Sequence, residues 1–321
     1  MSSTPEVEAP IRRRTFGDGL AFTELTLGLF GPSTGAYGEV SHEGRAALVE
    51  RAFELGVRCF DVAPLWGDSE TLVAEVLGAR VNDVAIVTRA GRRLVDGALD
   101  VGFSLDALRQ DLEASLRRVG RSQVDVVLLH APMPIAFRRR GEALDALRVL
   151  KEEGLVRAVG ASVSSAAQAQ AALDAGTEVL AMPLNLLAAD EFESIRGELA
   201  HRKIGFFATS PLLHGLLADK LTFSHAFGPE DHRSLRWTRE SLRVRLRHVA
   251  ALRYLVGQDT LPSMAVASLR YVLAQPEVTS VCLGPRTVEQ LDELVRNAGA
   301  PPYLSETALA RLPQILAAAG A

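Results

Sequence analysis

Long apolar runs are missing from this sequence. No stretch approaches the roughly 20 consecutive apolar residues that a bilayer-spanning helix needs, so no membrane partner is expected. Residues 1–10 are polar and acidic with no apolar segment, and read as a disordered tail rather than a signal peptide. Excess charge of one sign is missing too. A net charge of −4 offers no bulk basicity to hold nucleic acid or an anionic surface. The one local basic run, Arg138-Arg139-Arg140, reads as a solvated approach to a helix. Cysteine is scarce: Cys59 and Cys282 each sit in an apolar run with no CxxC partner, which points to buried packing in a reducing cytoplasm. There is no Walker loop, no GxSxG and no HExxH. His225 and His232, beside Glu230 and Asp231, lack metal-ligand grouping, so no metal site is expected.

What is present is a repeating alternation. The chain has 321 residues, 48% of them hydrophobic, enough for a sizeable core. Short Val/Ile/Leu runs at 25–30, 57–61, 84–88, 124–129, 156–161, 178–182, 204–208 and 279–283 read as strands buried on both faces. Amphipathic stretches follow them, several opened by Ser or Thr and closed by Gly. Residues 31–40 and the stretch leading to Gly102 read as loops, and 211–239 as a long polar connection. Residues 11–22 alternate around Gly17-Asp18-Gly19, a hairpin that would cap the bottom of a barrel, and 306–319 form an extra terminal helix. The expected fold is α/β: a (β/α)8 TIM barrel with an N-terminal hairpin and an extra C-terminal helix, one domain over 11–321. A doubly wound sheet shares the same local pattern.

Three of these strands end in a polar residue. RCFDVAPLWGDSE ends its strand at Asp61 and carries Trp66 in the loop; AIVTRAG places Arg89 at its tip, and DVVLLHAP places His130. Polar residues at the carboxyl ends of parallel strands are how such barrels build a site. Arg89 is the natural partner of Asp61 and would keep it ionised. Trp66 offers an N–H donor but neither a transferable proton nor an acceptor. Arg89 is permanently charged and forked.

These segments resemble the aldo-keto reductase family. The likeness runs through GDSE after the second strand, ALRVLKEEGLVRAVGAS, HRKIGFFATSPLLHGLLADK, FGPEDHR and GPRTVEQLDEL, in that order. The resemblance implies NADP(H)-dependent carbonyl reduction by a tyrosine acid tuned by a lysine and an aspartate, with a histidine at the carbonyl. Asp61 and His130 match that set, whereas Trp66 falls at the tyrosine and Arg89 at the lysine. The positions that would hold or stack on the nicotinamide fall on Val163, Ala181 and Leu184, which cannot satisfy an amide. Those that would hold the phosphates are kept better: Ser210, Leu212 and Gly215, then Gly284, Arg286 and Gln290. Leu294 replaces the adenine-binding asparagine.

Three functions stay open on this reading. The first is an enzyme with redox-neutral acid/base chemistry (dehydration, elimination, isomerisation or hydrolysis) on a small polyol-like or carbonyl compound, with His130 as acid or base and Asp61 and Arg89 orienting it. The second is an NADP(H)-dependent carbonyl oxidoreductase with a substitute proton donor. The third is a non-catalytic binding or scaffold member.

Overall fold

A computed structural model describes residues 11–138, 142–257 and 261–320. The expected tail at 1–10 lies outside the described residues, as do the last two members of the run Arg138-Arg139-Arg140. Twelve strands occur among the described residues: β1 Arg13–Phe16, β2 Leu20–Thr23, β3 Leu25–Gly28, β4 Cys59–Asp61, β5 Ala85–Ala90, β6 Arg92–Val95, β7 Ala98–Val101, β8 Val124–His130, β9 Val156–Ser162, β10 Val179–Pro183, β11 Gly205–Thr209 and β12 Ser280–Leu283. Eight of them close a parallel barrel in the order β3-β4-β5-β8-β9-β10-β11-β12. This is the (β/α)8 fold the alternation implied, and the doubly wound alternative falls away.

The barrel's two layers follow from the all-apolar strands. Inward-facing Val87, Val126, Leu128, Val179, Ala181 and Phe207 form one cluster, with both cysteines in it; a larger cluster fills the space between strands and helices. The antiparallel β1–β2 hairpin plugs the amino-terminal end of the barrel. Phe16 stacks on Phe22 at 5.6 Å, and Phe22 meets the Phe207 ring edge-on at 5.4 Å. The terminal helix Glu306–Ala319 follows Tyr303, whose hydroxyl donates to buried Glu24 at 2.5 Å.

Three expectations need correction. The first barrel strand stops at Gly28, because Phe30 already belongs to a short helix, Phe30–Thr34, closed by left-handed Gly35; residues 31–40 are therefore not all loop. The stretch before Gly102 is a β-hairpin, β6–β7, turned by Asp96 and Gly97, both at positive φ, the conformation a tight two-residue hairpin demands. The connection at 211–239 holds two short 3₁₀ turns, Leu213–Ala218 and His232–Leu235.

Candidate active site

Register sets the floor of the site. In the β4 and β5 pairings Asp61 lies beside Gly28 and Val87, Arg89 beside Leu128, and His130 beside Ser162. All three side chains therefore emerge at the carboxyl rim. Arg89 and Asp61 are both 3% exposed and meet as a fork: Nη1 donates to Oδ1 at 2.5 Å and Nη2 to Oδ2 at 3.2 Å. Nη1 also donates to the Val62 carbonyl at 3.1 Å. Burial raises the Asp61 pKa above the ordinary carboxylate value, and the charge and hydrogen bonds of Arg89 oppose that rise.

Trp66 covers this pair. The Arg89 guanidinium lies over its ring, 4.1 Å from the centroid. The other contacts of the ring are edge-on, to Phe30 at 5.6 Å and to His130 at 6.5 Å. The Trp66 backbone is held by a tight turn, its N–H donating to Ala63 O and its carbonyl accepting from Ser69 N–H. Gly67 follows at φ 56°, where a Cβ would come within 2.7 Å of the Ser33 carbonyl, so no other residue fits there. Below, Thr88 and Arg118 both donate to buried Glu70, pinning the helix Ser69–Leu77 against β5.

His130 is half-buried, and its Nδ1 is buried without a partner among the described residues. Burial, with Arg89 and Arg92 nearby, pushes its pKa down to about 3, so it is neutral at pH 7. The next residue, Ala131, has φ 46°, a left-handed kink directly beyond the histidine.

One cavity of about 650 Å³ joins Asp61, Trp66, Arg89 and His130 to Ser210, Leu212, Gly215, Gly284, Arg286 and Gln290. All ten sequence-selected residues therefore share a wall. Leu294 lines it as well, while Val163, Ala181 and Leu184 are buried in the apolar core and line none of it. The polar rim near His130 is instead Ser162 and Thr209.

At the far end, a Cβ on Gly284 would meet no atom within 4 Å, so the backbone is open to a ligand. The Arg286 Nε is buried and unpartnered among the described residues, and its backbone N–H donates to Gln290 at 2.9 Å. The loop after β11 holds Ser210, Leu213 and His214 at positive φ, backbone strain of the kind that gathers at ligand sites. A half-buried guanidinium with no carboxylate partner among the described residues, beside open backbone, fits a dinucleotide's phosphates.

Several pocket residues were not selected from sequence. Tyr37, between the helices Phe30–Thr34 and His42–Glu54, places its hydroxyl 2.7 Å from His214 Nδ1. Arg233, forked onto Asp231 with a 2.6 Å contact, lies over the Tyr37 ring. Burial and Arg236 push His214 down to about 4. The pair joins residues 177 positions apart, and neither carries a local motif.

A closed parallel barrel whose strand tips open into one cleft, running from His130 to Arg286, defines an α/β-barrel protein with its pocket at the carboxyl rim. The chain belongs to the Aldo/keto reductase family: the family's model matches residues 24–316. It is similar to the L-glyceraldehyde 3-phosphate reductase of Escherichia coli (strain K12), with 29% identity over 92% of this chain and 89% of that protein. It is also similar to the uncharacterized oxidoreductase YqkF of Bacillus subtilis (strain 168), with 27% identity over 79% of this chain and 82% of that one. Among solved structures, the glycerol dehydrogenase AKR11B4 from Gluconobacter oxydans superposes with a TM-score of 0.80 at 22% identity, covering 95% of each chain.

Proposed function

We propose that the protein is a nicotinamide-dependent oxidoreductase that interconverts a carbonyl and an alcohol on a small molecule, with a proton path that does not use residue 66. The observation that carries this is the single cavity running from His130 to Arg286. The relatives' names point the same way, since they are reductases and dehydrogenases of small compounds, among them L-glyceraldehyde 3-phosphate and methylglyoxal. A bound NADP(H) would supply the hydride.

The chain's own residues do the rest. Arg286 and the open backbone at Gly284 bind phosphate. Ser162 and Thr209 offer hydrogen bonds at the rim where Val163 and Ala181 offer none. His130, held neutral, donates its one N–H to the carbonyl oxygen as a hydrogen bond, as a neutral imidazole electrophile does, and a water in the cavity gives the alkoxide its proton and leaves as hydroxide. It is not an imidazolium acid near pH 7. Asp61 and Arg89 are consumed in their own fork; they set the position of Trp66, and the indole covers the fork.

The test is a fluorescence titration with NADPH, followed by loss of nicotinamide absorbance in the presence of small aldehydes. Binding with aldehyde-dependent oxidation supports this reading, and no binding sinks it. The redox-neutral reading draws on the missing acid at Trp66. It would instead give substrate turnover with no change in nicotinamide, abolished by His130→Ala. A scaffold would give neither.

A further inference from the structure

The hairpin β6–β7 presents an apolar face that no described residue covers. Leu94, Leu99 and Val101 are 63%, 53% and 49% exposed, and Met133 and Ile135, beyond β8, are 62% and 61% exposed. Arg92 pairs with Val101 and Leu94 with Leu99, so these four side chains share one face of the hairpin. Val101, Phe103, Met133 and Ile135 line a groove of about 780 Å³, closed on the other side by the helix Glu142–Glu152. That volume is in the range of small-molecule sites.

Arg92 also lines the groove, on the side next to the catalytic pocket. Its Nη2 donates to the Ala131 carbonyl at 3.1 Å, one residue from His130. Its Nε is buried and unpartnered, and no carboxylate among the described residues pairs with it. A partly desolvated guanidinium without a counter-charge is costly, and an anion reaching it from the groove would supply one. On the helix side Asp145 is already paired with Arg148. Glu142, exposed at the start of that helix, also lines the groove; the unmatched positive charge stands at the Arg92 end, and the apolar wall extends away from it.

We propose that this groove binds an amphipathic anion, with its carboxylate or phosphate on Arg92 and its apolar body against Val101, Phe103, Met133 and Ile135. The site adjoins the His130 cavity through Ala131 and does not depend on hydride chemistry there.

Calorimetric titration of the full-length protein with decanoate, decyl phosphate, decanol and decyltrimethylammonium tests it. At least one anion is expected to bind roughly tenfold more tightly than the alcohol and the cation, the value of one charge-assisted hydrogen bond. Whichever anion binds more tightly identifies the headgroup. Arg92→Met should erase that preference, and Ile135→Glu, at an exposed position, should weaken every anion. Equal affinity for decanol, no binding at all, or an unchanged preference in Arg92→Met overturns the proposal. Sedimentation revealing a dimer that Ile135→Glu converts to monomer also overturns it, because a second copy would then cover the groove. If Arg92→Met does not fold, the ligand series on the native protein and on Ile135→Glu decides. NADPH affinity, read separately, tests the catalytic reading and is independent of these outcomes.

Discussion

The guanidinium of Arg89 lies over the indole of Trp66, 4.1 Å from the ring centroid, while its other face of contacts is a fork on Asp61. Trp66 and Arg89 thus support each other. A lysine ammonium would neither fork nor stack in this way. Removing the cation alone strands a buried carboxylate. Arg89→Met should therefore cost about 3–5 kcal/mol in denaturant unfolding. Adding Asp61→Leu should recover much of that loss, because the stranded charge is gone. A double variant as unstable as the sum of the two singles would refute the ion-pair account.

Replacing Trp66 and Arg89 together tests the proposed proton path. Trp66→Tyr with Arg89→Lys puts a phenol where an indole has no proton to give. Proton transfer by a placed side chain is worth roughly 10²–10⁴-fold, so aldehyde reduction should rise by about 10²-fold over the native protein. Trp66→Tyr alone should gain less, since Arg89 remains bound to Asp61 and Val62 O. Steady-state rates over a panel of small aldehydes decide the matter. No gain in the double variant would mean the substrate no longer sits above residue 66.

Much of this architecture could be read from the sequence, because barrel strands buried on both faces are continuous apolar runs and the caps around them are local. Ser69–Leu77 was bounded by its own sequence, as was the terminal helix. Asp61, Arg89 and His130 at three strand tips, Trp66 in its loop, and Ser210, Leu212, Gly215, Gly284, Arg286 and Gln290 share one cavity for the same reason: in a parallel barrel every strand tip faces one rim. The β6–β7 hairpin was missed although Asp96-Gly97 is a strong turn signal, since its strands carry charged residues and no buried face. Tyr37 and His214 could not be paired in advance. Nothing local to either residue encodes a contact that only barrel closure creates.

Arg286 should set the affinity for the phosphorylated cofactor. Its Nε has no described partner, and its Nη2 reaches the Glu39 carbonyl only at 3.5 Å, so the guanidinium is free to take an anion. Arg286→Met is expected to weaken NADPH binding at least tenfold, about 1.4 kcal/mol, with a smaller effect on NADH. Equal losses for the two would place the arginine at the pyrophosphate, and no loss for either would remove it from the site. Fluorescence titration gives both constants.

Acid should destabilise the fold through His130 and His214. His130 is pushed down to about 3 by burial with Arg89 and Arg92 nearby, and His214 to about 4 by burial with Arg236, His232, Arg233 and Arg245. Unfolded histidine binds its proton near pH 6.5. Between there and the folded values the unfolded chain holds more protons, so stability falls as pH falls through that window. Each such group contributes a slope of about 1.4 kcal/mol per pH unit. His130→Asn should flatten the dependence from about pH 6 down to about 4 by close to one proton. A melting profile unchanged by the substitution would mean the imidazole is protonated in the folded protein.

Closure of the barrel depends on Gly160 in β9. A Cβ there would lie 1.9 Å from the Val179 carbonyl oxygen and 2.7 Å from its carbonyl carbon, both on the neighbouring strand. Backbone in a parallel ladder cannot step aside as a side chain can, so the methyl must separate β9 from β10. Overpacking of this kind costs typically 1–3 kcal/mol where side chains absorb it, and more is expected where a ladder must open. Gly205 makes an internal comparison, because the atoms nearest to a Cβ there belong to the Phe16 ring, at 2.8 Å. Gly205→Ala should therefore be rescued by Phe16→Leu, whereas no side-chain substitution rescues Gly160→Ala. Denaturant midpoints of the three variants check this order, and a Gly160→Ala protein as stable as the native one would contradict the strand spacing described for β9 and β10.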